Sequence, residues 1–375
     1  MCTAVTYQTR DRYFGRNLDL EFSYDEEVTI MPRNFPVCFR NGLHLDSHPA
    51  VIGTAYVVNE QNVYPLFYDA VNEYGVAMAG LNFPDYAYYG DWANDNDVAA
   101  PFEFIPWVLC QCRNMEDVKN LLSRTVLVNM DFSEKLPVTP LHWIIAAPSA
   151  KAEMECITVE PEKTGLKIYD NPVGVLTNSP DFKYHMTNLS NYMTLSARPP
   201  VNTMTDAVSL TPYSRGMGGL GLPGDLSSAS RFVRAAFVKL NSLPGPAHHK
   251  TADAETPNAP GASAAAPHPP TPDPDAAAEA RSVSQFFHIL GAVEQQRGCV
   301  RLNSWEQHCE DQWENEITVY SSCFNVDRGI YYYKTYDDST IRGVDMHLEN
   351  LDRTELIRYP MKKELGIDIQ NSGQR

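Results

Sequence analysis

The feature that most constrains this chain is a succession of short β-branched runs, each closed by a turn signal. Residues 2–8 (Cys-Thr-Ala-Val-Thr-Tyr-Gln) predict a strand, Asp11-Arg12 a turn, and Tyr13 to Leu20 a second strand. The chain therefore opens as a hairpin. Further strands are predicted at 26–39, 50–59, 63–72, 76–82, 140–147, 153–160, 166–169, 173–178, 317–325 and 329–336, and residues 344–351 close the core. Helices are predicted at 103–111, at 115–124 behind an Asn114 cap, at 182–193, at 232–239 behind Ser227 or Ser228, and at 282–293. The first of these is apolar nearly all round, which predicts burial. Runs of strands with helices grouped between them indicate an α+β protein with large antiparallel sheets.

With 375 residues, 43% of them hydrophobic, the chain can build a large core. We expect one catalytic domain over residues 1–375, with a Pro/Ala-rich insertion at about 245–281. That stretch has almost no large apolar side chains and is expected to be disordered. No run of apolar residues is long enough to span a membrane, and no secretory signal is visible. The eight cysteines are scattered and read as reduced thiols, which favours a cytoplasmic setting. A net charge of −17 argues against nucleic acid as partner, because phosphate contacts need a basic face.

Cys2 stands directly behind Met1. Its side chain is small enough for an aminopeptidase to trim Met1 and leave Cys2 first. The α-amine of such an end is partly unprotonated at neutral pH, so it can take the proton of its own thiol. Four residues could complete the site. Arg16 and Arg231 would favour a thiolate, Asp19 would orient the amine, and Asn178 would donate to a developing oxyanion. One conflict is visible. Residues 16 and 19 point to opposite faces of a regular strand, so both reach Cys2 only if the strand ends or bulges between them.

Other groupings are weaker. Cys110-x-Cys112 lacks a second pair at zinc spacing. His308-Cys309 with Cys299 and Cys323 reads as core thiols, and His248, His249 and His268 as incidental. The five acidic residues between 306 and 316 read as a solvated face. The Tyr331-Tyr332-Tyr333 run reads as a strand between two environments. Five glycines between 216 and 224 lack the Gly-Lys-Ser/Thr of a phosphate loop.

Six segments stand in a familiar order: Met1-Cys2-Thr3, Phe14-Gly15-Arg16-Asn17-Leu18-Asp19, Gly80-Leu81-Asn82-Phe83-Pro84, Leu141-His142-Trp143, Leu176-Thr177-Asn178-Ser179-Pro180 and Gly221-Leu222-Pro223-Gly224-Asp225 with Ser227-Ser228-Ala229-Ser230-Arg231-Phe232. The sequence resembles the choloylglycine hydrolases, which comprise bile salt hydrolases and penicillin V acylases. The resemblance implies an N-terminal nucleophile hydrolase, a four-layer αββα sandwich and a homotetramer. It implies Cys2 as nucleophile, Arg16 and Arg231 as thiolate support, Asp19 as amine holder, and Asn178 and the Asn82 backbone N–H as oxyanion donors. It implies hydrolysis of glycine- or taurine-conjugated bile acids with no metal or organic cofactor. By similarity Leu18, Tyr24, Tyr68, Phe132 and Leu136 would line the steroid pocket. Asn82 leans toward bile salts, since penicillin V acylases more often carry Tyr there. The rivals are penicillin V acylase, acyl-homoserine-lactone acylase and a non-catalytic bile-acid binder.

Overall fold

The opening hairpin lies within a six-stranded sheet. β1 (Cys2–Gln8) pairs with β2 (Arg12–Leu20), setting Cys2 opposite Leu18 and Ala4 opposite Arg16. β14 (Val175–Leu176) flanks β1, and β15 (Ile317–Asn325), β16 (Ile330–Thr335) and β17 (Arg342–Asp345) extend the sheet past β2. The second sheet has eight strands. Its order is β13 (Gly165–Asp170), β12 (Met154–Glu162), β11 (Leu141–Pro148), β8 (Ala77–Asn82), β7 (Leu66–Asn72), β6 (Val51–Tyr56), β3 (Glu27–Met31) and β18 (Ile357–Pro360). All pairings in both sheets are antiparallel. Two small ribbons stand apart: β4 (Val37–Cys38) with β5 (His44–Leu45), and β9 (Val98–Ala99) with β10 (Val126–Leu127). The helices are α1 (Phe104–Leu109), α2 (Met115–Leu122), α3 (Phe182–Leu189), α4 (Ser228–Asn241) and α5 (Pro274–Gly291). This computed structural model describes residues 1–58, 63–92, 97–149, 153–245, 273–301, 315–364, 366–367 and 369.

The period of two along each strand sorts the core. Ile30, Ile52, Val71, Ala77, Ile144 and Ala146 pack toward the six-stranded sheet, in a cluster that extends to α4 and α5. Their chain neighbours Met31, Val51, Ala70, Met78, Ile145 and Ala147 pack with α1 and α2. Both faces of the sheets are thus covered, which is why β1 is buried from Cys2 to Tyr7 rather than at alternate residues. The result is helices, sheet, sheet, helices: the four-layer αββα sandwich. β16 does alternate, with Tyr331 and Tyr333 buried and Tyr332 half-buried, as the tyrosine run predicts. α1 is buried along its whole length, and the Asn114 side chain accepts from the Asp117 N–H to cap α2.

Two expectations change. α5 starts at Pro274, not Ser282, with Asp273 as its N-cap. Ala and Asp favour its first turns, and Val283, Phe286 and Phe287 anchor them, so the ordered chain reaches back into the stretch expected to be disordered. Residues 246–272 of that stretch, with His248, His249 and His268, lie outside the described residues, as do His308 and Cys309. At α4, Ser227 occupies the N-cap but makes no side-chain cap bond, and the Ser228 hydroxyl is spent on the Asn178 N–H. No described helix is long and apolar enough to cross a membrane.

Gly15 lets β2 lie close against β15. A Cβ there would stand 2.1 Å from the Ser322 carbonyl oxygen, a backbone atom that cannot swing aside. Gly15→Ala is expected to destabilise the fold by about 2–3 kcal/mol, read as a lower urea midpoint at unchanged slope.

Candidate active site

Cys2 starts β1 and is 3% exposed with Met1 in place. Its N–H donates to Asn178 Oδ1 at 2.8 Å. Arg231, in the first turn of α4, binds the same oxygen through Nη2 at 2.7 Å. Its Nη1 reaches the Cys2 carbonyl at 2.5 Å and Thr3 Oγ1 at 2.6 Å, and its Nε the Leu226 carbonyl at 2.9 Å. One fully buried guanidinium therefore ties together α4, the start of β1 and the segment after β14.

Arg16 and Asp19 approach from opposite sides of the sheet. β2 runs without interruption through both, so the expected break between them is absent. Arg16 shares the face of Cys2 and Leu18, and its Nη1 donates across to the carbonyls of Tyr68 (3.0 Å) and Gly80 (2.6 Å) in the second sheet. Asp19 faces the helices. Its Oδ1 accepts from Thr318 Oγ1 at 2.6 Å, while Oδ2 lies 3.9 Å from Arg231 and has no hydrogen-bond donor among the described residues. The irregularity sits on the partner strand, where the register of β15 shifts between Thr318 and Tyr320. The β1–β2 pairing that carries both residues past Cys2 is regular, and they stand on the two faces of one sheet.

Burial sets the electrostatics. It pushes Asp19 up and Arg231 down, each toward its neutral form. A guanidinium keeps its proton in proteins, so Arg231 stays cationic and opposes the rise at Asp19. For Arg16 burial acts downward, but Cys2, Tyr320 and Asp69 outweigh it and the net shift is upward. Asp69, fully buried in β7, accepts from Tyr320 (2.5 Å) and Ser322 (2.8 Å). Met1 covers the site: its ammonium binds Glu316 and, at 2.7 Å, the Asp19 carbonyl, and burial lowers that ammonium. Glu316, 4% exposed, belongs to the acidic run expected to face solvent.

Asn178 is held on every side. Its Nδ2 donates to the Asn82 carbonyl at 2.8 Å, and its N–H donates to Ser228 Oγ at 2.9 Å. With two donors on Oδ1 and one acceptor at Nδ2, the amide orientation follows from the network, and one Nδ2 hydrogen remains. Asn82 pairs with Leu141, and the adjacent Phe83 N–H donates to the Pro140 carbonyl at 2.8 Å. That makes Asn82–Leu141 a non-hydrogen-bonded pair, so the Asn82 N–H points away from β11, to the side of its carbonyl and Asn178.

The candidate pocket residues separate. Leu18 is buried opposite Cys2, and half-buried Tyr68 packs on the same cluster. Tyr24 is exposed, its ring 4.7 Å from Phe22. Phe132 and Leu136 line a cavity of about 700 Å³ with Phe39, Tyr56 and Tyr64, and none of the six catalytic candidates lines it. Sequence reasoning missed Asp69, Thr318, Glu316, Ser228 and the histidines below. His142, inside Leu141-His142-Trp143, and Ser228, inside the segment that ends in Arg231-Phe232, carry a signal in the sequence.

His185, in α3, meets the Asn178 carbonyl through Nε2 at 2.8 Å, and burial lowers it to about 4 from the usual 6.5. The unfolded chain then takes up this proton at higher pH than the folded one. Its contribution is full above pH 6.5 and is lost as pH falls to about 4, worth about 3 kcal/mol. His185→Gln should lose less stability than wild type between pH 7 and 4.5, measured by urea midpoints at both.

The chain matches the model of linear amide C–N hydrolases, choloylglycine hydrolase family, over residues 2–253 and 272–359. It is 48% identical to the bile salt hydrolase/transferase of Lactiplantibacillus plantarum, covering 97% of this chain and 98% of that one. It is 35% identical to the bile salt hydrolase/transferase of Clostridium perfringens, covering 99% and 100%. A mutant conjugated bile acid hydrolase from Clostridium perfringens superposes with a TM-score of 0.79 at 32% identity, over 99% of this chain and 100% of that chain. Penicillin V acylase from Agrobacterium tumefaciens shares the fold, with a TM-score of 0.63 at 16% identity over 95% and 90%. The chain belongs to the choloylglycine hydrolase family of linear amide C–N hydrolases.

Proposed function

We propose that this protein hydrolyses the amide bond of glycine- or taurine-conjugated bile acids through a thioester on Cys2, after removal of Met1. The observation that carries the reading is the buried junction of Cys2 N, Asn178 Oδ1 and Arg231 at the start of β1. Trimming Met1 turns that nitrogen into the α-amine. The acceptor left open on Asp19 Oδ2 suits it.

The reaction then proceeds with the chain's own groups. The α-amine takes the thiol proton, and sulfur attacks the amide carbon. Arg16 and Arg231 offset the thiolate charge, and Asp19 holds the ammonium. The oxyanion is met by the second Nδ2 hydrogen of Asn178 and by the Asn82 N–H. As the C–N bond breaks, the ammonium proton passes to glycine or taurine, which leaves as the amine. Water, deprotonated by the same amine, cleaves the thioester and frees the bile acid. No step calls for a metal or an organic cofactor. An amine in place of water would give acyl transfer. Leu18, Tyr24, Tyr68, Phe132 and Leu136 are the proposed contacts of the steroid body.

The same reading includes one catalytic domain, a cytoplasmic setting and a homotetramer. Unpaired cysteines support the second. The arm between α3 and α4 supports the third, because it exposes Met193, Val201, Met204, Tyr213 and Leu220, each more than 70% accessible. We expect no nucleic-acid or membrane partner.

One panel tests the reading: glycocholate, taurocholate and penicillin V, each assayed for released amine. The bile salts should be cleaved faster than penicillin V, and the opposite order would favour the acylase. Intact mass should show a chain starting at Cys2. Cys2→Ser should fold yet lose nearly all turnover, and normal turnover would remove Cys2 as nucleophile. Asn178→Ala should lower kcat roughly 10²–10³-fold.

A further inference from the structure

A second, fully buried layer lies beneath Asn178. His142, in β11, meets the Thr177 carbonyl through Nε2 at 2.9 Å. That oxygen only accepts, so Nε2 carries a proton and donates. The other ring nitrogen, Nδ1, lies 3.5 Å from Glu160 Oε1, which also accepts the Phe182 N–H at 2.8 Å. His142 is 0% and Glu160 2% exposed. A carboxylate this deep needs a cationic partner or a proton of its own, and among the described ion pairs His142 is its only cationic partner. Nδ1 makes no hydrogen bond among the described residues, so ring and carboxylate face each other across 3.5 Å as a buried pair. The imidazole also stacks on Phe83, with ring centroids 4.0 Å apart and planes within 10°. Phe83 follows Asn82, and Thr177 precedes Asn178. One ring thus touches the neighbours of both proposed oxyanion donors.

We propose that His142, oriented by Glu160, is the positioning residue that sets the two halves of the oxyanion hole against each other. It donates to the peptide before Asn178 and braces the residue after Asn82, without touching substrate. This rests on the oxyanion roles proposed above. The alternative is a buried polar pair that serves stability alone.

The test uses His142→Phe, which keeps an aromatic ring but no donor, with His142→Gln and Glu160→Gln. Displacing a donor without deleting it should lower kcat of His142→Phe about 10–100-fold, with KM within about twofold. His142→Gln, which can still donate to Thr177, should recover most of the loss, and Glu160→Gln should fall between. A bile-acid aldehyde, whose thiol adduct carries the oxyanion, should bind His142→Phe more weakly by the same factor as the loss in kcat. The free bile acid and the rate of Cys2 alkylation by iodoacetamide should be unchanged. Equal losses in alkylation and turnover, or an unaltered kcat, would overturn the proposal. A wild type inert to both conjugates sinks the substrate reading instead. The crystal structure of His142→Phe decides the positioning role for any substrate: the Asn178 amide should leave the Asn82 carbonyl, and an unmoved amide refutes it.

Discussion

The Arg231 guanidinium is the point on which this molecule turns. It is sealed from solvent, and a buried cation is tolerated only when its donors are occupied. Here they are met by the Cys2 and Leu226 carbonyls, Thr3 and Asn178, with Asp19 supplying the charge at 3.9 Å. Those partners come from the turn before α4, both strands of the opening hairpin and the segment after β14. Moving any of these elements leaves a charge unpaired in the interior. The same demand that fixes the packing fixes the first residue of β1, so the stability of the layer and the geometry of the site are one constraint.

The second sheet contributes differently. It offers backbone more than side chains: the Tyr68 and Gly80 carbonyls to Arg16, and the Asn82 carbonyl to Asn178. Tyr68 and Gly80 lie within paired strands, whose backbone is held on both sides, which gives the site a rigid wall. Asp69 is the exception, a buried carboxylate held by Tyr320 and Ser322 and electrostatically coupled to Arg16. Charge thus balances across the interface between the sheets as well as within each layer.

The legible part of the chain was what lies close in sequence or in an ordered motif. The hairpin, the Asn114 cap and the αββα layering follow from local pattern and resemblance. The sequence shows the opposite parity of Arg16 and Asp19 but not how both reach Cys2. A strand viewed alone must bend to bring both to one point, whereas a strand covered on both faces need not. Glu316 sits in an acidic run whose average character is exposed, and only the fold turns it inward. Asp69 draws its partners from β15, far along the chain, and Glu160 from the paired strand β11 and from α3, so a short window around either does not hold the information. α5 was shortened because its first turns are Ala-rich and polar, and their anchoring comes from Val283 and Phe286 further along.

The regular course of β2 past Cys2 has a wider consequence. The guanidinium of Arg16 lies in the seam between the sheets, and the carboxylate of Asp19 lies under the helices, with a layer of peptide between them. Sulfur and nitrogen of a single residue are therefore governed from two separate compartments. In the proposed reaction, a change in the seam would act on the sulfur through Arg16, and a change under the helices on the amine through Asp19. The sheet works as a septum, and Arg231, beside Asp19 and bonded to the Cys2 carbonyl, couples its two sides.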